Sequence, residues 1–345
     1  MPAPPRRSVL ILARAITAIV GLAGAEGVLW FGGYPDWWRM DPVLGSGGPE
    51  YQSDAGLGWK ARPGSYDLVW ADGTSSGHPF HYTNWSEGRR ATSELDQQPQ
   101  RDSNRPRILF FGDSYIQGYG LSDAETLPWI VQKRHPEFQV SNFGAGLYGT
   151  YQSYLAMKKQ VTQPASVYYL FNAFHEDRNA GSPSFLRIMK HPPAGWFYPY
   201  AGMSGGEIQG GSSPGEVVWP LSRQLRTVAL AQDYGLIIRS YPRRRVKRQT
   251  TQALLVKMNE TVRAASGKFK VILFDMSPKE RQEYRAFLDS QGVAYIDCDQ
   301  PERLDPALRL RDQQHPTARL NALLAEWIEP VGSPAESTMS GKIRP

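Results

Sequence analysis

The stretch that decides the fold runs from residue 107 to residue 115 and reads Arg-Ile-Leu-Phe-Phe-Gly-Asp-Ser-Tyr. Its apolar part, Ile108 to Phe111, has the length of a buried strand and stops at Gly112-Asp113-Ser114. A helical pattern follows at Leu127 to Arg134. A serine that ends a parallel strand and begins a helix lies at the carboxyl edge of the sheet, where α/β proteins form their sites. We therefore expect an α/β fold with Ser114 at that edge.

Strand and helix patterns alternate through the remainder of the domain. Short apolar runs predict strands at 140–143, 166–171, 271–274 and 293–296, and helical patterns lie at 151–160, 278–290 and 317–328. Alternating strands and helices are typical of βαβ units in a parallel sheet that is covered on both faces.

The N-terminal segment, residues 1–33, contains an apolar run of 23 residues from Val9 to Phe31. At 1.5 Å per residue this run can cross a hydrocarbon core of about 30 Å. Arg6 and Arg7 before the run predict that the N-terminus stays in the cytoplasm and that the chain beyond Phe31 lies outside it. A cleaved signal peptide, with Ala23-Gly24-Ala25 as its cleavage site, is the alternative, and a buried core helix is a further one. We expect an uncleaved anchor in the cell membrane.

Three other segments differ in composition and sequence pattern from the alternating strands and helices of the α/β domain at 105–330. Residues 34–104 are rich in Gly, Pro, Trp and Tyr and predict a β-rich lead-in segment, with strands at 51–59 and 66–70. An insertion at 178–248 carries paired glycines, paired prolines and a basic run, and we interpret it as a lid or substrate-side insertion, with a disordered loop as the alternative. Residues 331–345 are polar and predict a flexible tail.

Composition excludes several classes of protein. The 345 residues are 41% hydrophobic and 21% charged, which excludes a mainly disordered chain, a coiled coil and a collagen-like fibre. The net charge of +6 is too small for its length to favour a nucleic-acid partner. With Cys298 as the only cysteine, neither an intrachain disulfide nor a cysteine-based zinc site can form.

A serine nucleophile needs a base, and His315 is the histidine that has an aspartate at a suitable spacing. It lies in Asp312-Gln-Gln-His315-Pro316, just before the last predicted helix. A spacing of three puts both side chains on one loop, so that the Asp312 carboxylate can hold Nδ1 while Nε2 faces Ser114. The alternative for an isolated Asp-x-x-His is a surface turn.

These motifs resemble those of the SGNH (GDSL-type) hydrolase family, in particular its bacterial membrane-anchored branch. The resemblance rests on Phe110-Phe111-Gly112-Asp113-Ser114-Tyr115 at one end and Asp312 to Pro316 at the other, with Asn142 to Thr150 between them. It implies a flavodoxin-like three-layer fold with a parallel sheet. It also implies that Ser114 is the nucleophile, His315 the base and Asp312 its orienting acid, with no metal and no cofactor.

The same resemblance implies an oxyanion hole, in which Ser114 contributes its backbone N–H. In the second motif the closest-fitting position is Leu147, but a positive φ is costly for leucine, so we expect Gly146 to donate, with Leu147 and Gly149 as alternates. The third motif departs from the family's Gly-x-Asn-Asp, and its donor is Asn172 or His175.

Three functions remain open. The first is an exported esterase acting on an acyl ester, with an O-acylated cell-surface glycan or a small acyl ester as substrate. The second is an O-acyltransferase of exopolysaccharide modification, which would use the same three residues. The third is a catalytically decayed glycan-binding or assembly protein, which the irregular third motif favours.

Overall fold

The computed structural model describes residues 7–34, 44–45, 50–70, 78–94, 105–188, 197–214, 219–222, 224–298, 305–310 and 315–330. Its helices are α1 (Arg7–Phe31), α2 (Ser114–Gln117), α3 (Leu127–Arg134), α4 (Thr150–Gln160), α5 (His175–Ala180), α6 (Pro183–Ile188), α7 (Arg226–Arg245), α8 (Lys247–Ala264), α9 (Pro278–Ser290) and α10 (Ala318–Ala325). Its strands are β1 (Leu44–Gly45), β2 (Tyr51–Asp54), β3 (Gly58–Ala61), β4 (Gly64–Trp70), β5 (His78–Trp85), β6 (Arg89–Arg90), β7 (Arg107–Phe111), β8 (Gln139–Asn142), β9 (Ser166–Phe171), β10 (Phe197–Ser204), β11 (Glu207–Pro214), β12 (Lys268–Leu273) and β13 (Ala294–Asp297).

The five parallel strands that the sequence predicts form the centre of the fold. They are hydrogen-bonded in the spatial order β8, β7, β9, β12, β13. Numbered along the chain, this is the order 2-1-3-4-5 of flavodoxin-like sheets, in which the connection changes direction between the first and third strands. The α/β fold class expected from the sequence is confirmed, and the switch point lies where β7 ends at Ser114.

Side chains of alternate residues along β7 enter two different cores. Leu109 and Phe111 pack with residues of α4, α8 and α9, whereas Ile108 and Phe110 pack with residues of α2, α3 and α10. Successive side chains of a strand point to opposite faces of a sheet, so a sheet covered on both faces needs a continuous apolar run rather than an alternating one. The runs at β7 and β9 have this form, and the result is a three-layer arrangement.

The lead-in segment extends the same sheet with antiparallel strands. Arg90 of β6 pairs with Asn142 of β8, and β5, β4 and β1 follow outward from β6. The strand predicted at 51–59 is in fact the hairpin β2–β3, because Asp54 Oδ1 accepts hydrogen bonds from the backbone N–H groups of Gly56 and Leu57, both at 2.9 Å. An aspartate that binds the backbone two and three residues on closes a turn at this point.

The insertion is largely regular in the residues that the structure describes. It holds α6, the β10–β11 hairpin and α7, and α8 follows it as a helix that the sequence patterns did not predict. Tyr198 of β10 is buried and stacks on Trp59 with ring centroids 6.5 Å apart. The insertion is therefore packed against the lead-in segment. Residues 95–104, 189–196 and 331–345 lie outside the described residues, and the last of these ranges is the predicted flexible tail.

The apolar N-terminal run forms the single helix α1. Its most apolar window of 18 residues has a mean hydropathy of 2.0, and none of that window is buried. By length and composition α1 can cross a membrane, and a signal sequence has the same properties.

Candidate active site

The turn that carries Ser114, the expected nucleophile, is built by Gly112, Asp113 and Ser114 at the end of β7. Gly112 has a φ of +156°, and a Cβ there would lie 2.8 Å from Cγ1 of Ile116, so the turn requires glycine at this position. Asp113 caps α2 by accepting a hydrogen bond from the backbone N–H of Tyr115 at 3.0 Å. Ser114 is then the first residue of α2, where a backbone N–H has no partner within the helix.

The structure brings His315 to Ser114. Nε2 of His315 lies 2.9 Å from Oγ of Ser114, within hydrogen-bond distance, and both residues are partly buried. The imidazole ring packs edge-on against Tyr115, with ring centroids 5.1 Å apart. Its backbone is fixed as well, because the N–H of Leu310 donates to the carbonyl oxygen of His315 at 2.7 Å. Asp312, expected to orient this imidazole, lies outside the described residues.

The strand registers place the expected oxyanion-hole residues on either side of Ser114. Phe110 pairs with Asn142 of β8 and with Tyr168 of β9. Ser114 follows β7, Gly146 lies in the loop after β8 and Asn172 directly follows β9, so all three lie at the carboxyl edge of the sheet.

Asn172 is fully buried, and neither its Oδ1 nor its Nδ2 has a hydrogen-bond partner among the described residues. A buried amide left unpaired costs about 1–3 kcal/mol. Such a cost within a well-packed core is typical of a functional position.

Gly146, the expected donor of the second motif, has its backbone N–H already engaged. That N–H donates to the hydroxyl oxygen of Tyr51 at 2.9 Å, and the carbonyl oxygen of Gly146 accepts from Nε1 of Trp59 at 3.0 Å. Gly149 is engaged as well, because its N–H contacts Oε1 of Gln152 at 3.4 Å.

Leu147 takes the conformation that the sequence argument counted against it. Its φ is +66°, and its N–H has no hydrogen-bond partner among the described residues. The N–H of Leu147 and the carbonyl of Gly146 belong to one trans peptide and point in opposite directions. Trp59 therefore turns the Leu147 N–H away from the lead-in segment. Leu147 therefore adopts the costly positive φ in a loop whose preceding residue, Gly146, is bound on both sides by Tyr51 and Trp59.

His175, the other candidate of the third motif, lies behind the nucleophile turn. It is fully buried, with Nε2 3.2 Å from Oδ2 of Asp113 and Nδ1 2.8 Å from the hydroxyl of Tyr169. Because an ionised carboxylate can only accept, we assign the ring proton to Nε2. In this position His175 holds Asp113 in place instead of facing the reacting group.

Burial and charge set the protonation states of this pair. Burial opposes ionisation of Asp113, but the contact with His175, the charge of Arg178 and the N–H of Tyr115 outweigh it and hold the pKa of Asp113 below its usual value. Burial lowers the pKa of His175, although the contact with Asp113 acts in the opposite direction. We therefore describe the pair as an ionised aspartate in contact with a neutral imidazole.

Arg178 of α5 joins the first two motifs. Its Nη1 donates to Oδ2 of Asp113 and to the carbonyl oxygen of Tyr148, both at 2.8 Å, and its guanidinium lies 4.2 Å over the ring of Phe174. The sequence motifs do not single out this arginine, because no spacing rule connects it with Asp113. The position of Trp59 is likewise a tertiary contact that the sequence does not reveal.

Comparisons with known proteins give distant structural neighbours. No family model matches the chain, and no curated protein matches it significantly. Solved structures similar to it include TesA (13% identity, 64% of this chain and 94% of that one, TM-score 0.39) and the psychrotrophic esterase EstA from Pseudoalteromonas sp. (13%, 64% and 92%, 0.38). Another is AlinE4, an SGNH-hydrolase family esterase (15%, 65% and 92%, 0.34). The neighbours thus include members of the family whose motifs this sequence resembles, while the roles of individual residues depend on this chain's own geometry.

Proposed function

We propose that this chain is a serine esterase of the SGNH type. The observation that carries the proposal is the 2.9 Å contact between Ser114 Oγ and His315 Nε2 at the carboxyl edge of the sheet. A serine at that distance from an imidazole can lose its proton as it attacks a carbonyl carbon.

The reaction proceeds in two halves. Ser114 Oγ attacks the acyl carbonyl carbon while His315 Nε2 takes the hydroxyl proton, and collapse of the tetrahedral intermediate expels the alcohol, which receives that proton. Water then attacks the acyl-serine, again losing a proton to His315, and the free acid leaves as Ser114 is restored. Asp312 is proposed to hold Nδ1 of His315 throughout, as its place in the motif implies.

The developing oxyanion is proposed to bind three donors. These are the backbone N–H of Ser114, the backbone N–H of Leu147 and Nδ2 of Asn172. Support comes from the position of these residues at the carboxyl edge of the sheet and from the absence of other partners for Leu147 N–H and Asn172 Nδ2 among the described residues. Preorganised donors of this kind contribute several kcal/mol to acyl transfer.

The proposed location is the outer side of the cell membrane, with α1 as an uncleaved anchor and the N-terminus inside. The support is the basic start of α1, its length and its lack of buried residues. From that location the substrate we propose is an O-acylated cell-surface glycan or a small acyl ester.

The test is ester hydrolysis by the full chain in detergent. We expect release of acetate from p-nitrophenyl acetate and from an O-acetylated glycan, and a loss of at least about a thousandfold in Ser114→Ala and His315→Gln. The surface variant Ser290→Ala serves as the control. Wild-type rates in Ser114→Ala would overturn the proposal, and transfer of the acyl group to a glycan hydroxyl without free acid would favour the acyltransferase.

A further inference from the structure

An ionisable residue near the outer end of α1 has its partners on another helix. Glu26 interrupts the apolar run of α1, and its carboxylate accepts hydrogen bonds from the first turn of α7. The backbone N–H of Arg226 donates to Oε1 at 2.7 Å, and the N–H of Thr227 donates to Oε2 at 3.0 Å. Nη1 of Arg226 also lies 3.6 Å from Oε1. A carboxylate at a helix N-terminus is favoured by the unpaired N–H groups and the helix dipole.

A second contact holds the two helices together above this point. The hydroxyl of Tyr34, just after α1, donates to Oδ2 of the buried Asp233 on α7. The start of α7 therefore lies beside Glu26, and the next two turns of α7 follow α1 toward its end.

The depth of Glu26 fixes the depth of the start of α7. A hydrocarbon core of about 30 Å takes about 20 helical residues, so a core that begins at Val9 ends near Val28. Glu26 then lies just inside the outer boundary of the core. Whatever binds its carboxylate must reach the same depth.

Three apolar residues precede α7. Leu221 and Leu225 lie by its first turn, and Trp219 lies further along α7, where its backbone N–H donates to Oε1 of Gln232 at 2.7 Å. Trp219, Leu221 and Leu225 are exposed, at 40%, 57% and 40% of their surface. Leu221 also has a φ of +66°, a backbone conformation that is costly for leucine, although its side chain is exposed. Leucine side chains beside a tryptophan are typical of segments that enter the boundary between headgroups and acyl chains.

We propose that the segment comprising Trp219, Leu221 and Leu225 enters the outer leaflet beside α1, with the Glu26 contact holding it there. This inference rests on the proposed membrane anchor. The occupant of the surface is lipid, because the segment is fastened at the level of the membrane boundary to α1, a helix with no buried residues. The segment inserted into the α/β domain at residues 178–248 is thereby fixed against the membrane. The α/β domain is then held at one height and orientation above the membrane.

The test uses the single cysteine of the chain. Cys298 is buried, so Cys298→Ala gives a background in which single cysteines are placed at Leu221, Leu225, Val20 and Ser290 and labelled with an NBD fluorophore. The full chain is reconstituted in phosphatidylcholine–phosphatidylglycerol vesicles containing lipids with a nitroxide near the top of the acyl chain. Val20 within α1 is the positive control, and Ser290, exposed at the end of α9, is the aqueous control.

We expect strong nitroxide quenching at Leu221→Cys and Leu225→Cys, several-fold above that at Ser290→Cys, and a reduction at both sites when Glu26→Gln is added. Quenching at Val20→Cys with none at the two leucine positions would overturn this inference and leave the anchor intact. Absence of quenching at Val20→Cys would overturn both. A second copy of the chain could also cover the leucine positions. In that case the NBD emission there would be shifted to the blue without nitroxide quenching, and the shift would be lost when the protein is diluted in lipid. That result would contradict the proposal.

Discussion

The indole N–H of Trp59 donates a hydrogen bond to the carbonyl oxygen of Gly146 at 3.0 Å, across 87 positions of sequence. This contact joins β3 of the lead-in segment to the loop that follows β8. The same peptide carries the N–H of Leu147, so the indole sets the direction in which that N–H points. In the proposed mechanism, the lead-in segment is therefore part of the catalytic machinery, although Trp59 does not touch the substrate.

Removing this donor while keeping an aromatic ring tests that role. In Trp59→Phe the Leu147 N–H loses its orientation, and we expect kcat for p-nitrophenyl acetate to fall about 10- to 100-fold with little change in KM. Trp85→Phe, at a buried tryptophan of β5, is the matched control and should keep the wild-type kcat. Equal effects of the two substitutions on kcat would show that general packing, not peptide orientation, explains the loss.

Asn172 offers a comparison between activity and stability. In Asn172→Ala one oxyanion donor is lost, and kcat should fall about 10²–10³-fold. The free energy of unfolding, measured with denaturant, should change by less than about 1 kcal/mol because the amide has no partner to lose.

Asn142→Ala is the control for this comparison, since Asn142 is equally buried but bonded at both ends of its amide, to Ile116 O and Gly144 N, each at 2.9 Å. It should lose about 2 kcal/mol or more. A larger loss of stability in Asn172→Ala than in Asn142→Ala would contradict the role given to Asn172.

The contact between Arg178 and Asp113 should matter for stability. Arg178→Gln leaves the buried carboxylate without its cation, and we expect the free energy of unfolding to fall by about 3 kcal/mol, with a smaller loss in Arg178→Lys. Arg281→Gln breaks a more exposed pair with Asp297 and should cost about 1 kcal/mol or less. Equal losses in Arg178→Gln and Arg281→Gln would show that burial of Asp113 gives this pair no special weight.

The pKa values of His175 and Asp113 predict how stability depends on pH. Both are lowered by folding, from ordinary values of 6.5 and 3.8. Above about pH 6.5 each group has the same charge in the folded and unfolded states. Below it the unfolded chain binds a proton at His175 that the folded chain excludes, and at lower pH the same holds for Asp113.

The free energy of unfolding should therefore fall as the pH is lowered from 7 toward 4. Denaturant titrations across this range measure the slope, and His175→Gln should make it shallower between about pH 6.5 and 5. A slope that His175→Gln leaves unchanged would mean that His175 does not resist protonation in the folded state.

Local patterns were sufficient to predict the parallel sheet. Apolar runs bounded by glycine or polar residues marked β7, β8 and β9, and the helix at 278–290 carried its own signals, Ser277 as cap and Pro278 as first residue. The lead-in hairpin was missed because the side chain of Asp54 closes a turn within a stretch that reads as one strand. Helix α8 was not predicted, although its buried residues Leu254, Met258 and Val262 repeat at the spacing of an amphipathic helix.

The site divides in the same way. The contact between Ser114 and His315 could be predicted, because the motifs and the position of Ser114 at the sheet edge both point to it. Gly146 was expected to be the oxyanion donor because a positive φ at Leu147 is costly. That argument could not take account of Trp59 and Tyr51, which bind Gly146 from 87 and 95 positions away in the sequence. His175 reads as a polar donor in sequence, and only the packing shows that it faces Asp113.

The central claim is that Ser114 is an activated nucleophile, and the most direct measurement is covalent labelling by a fluorophosphonate. The full chain in detergent is treated with the probe, and the modified peptide is mapped by mass spectrometry. We predict a single adduct on Ser114 that is absent in Ser114→Ala and strongly slowed in His315→Gln. A folded chain that forms no adduct, or one that labels equally in Ser114→Ala, would contradict the account.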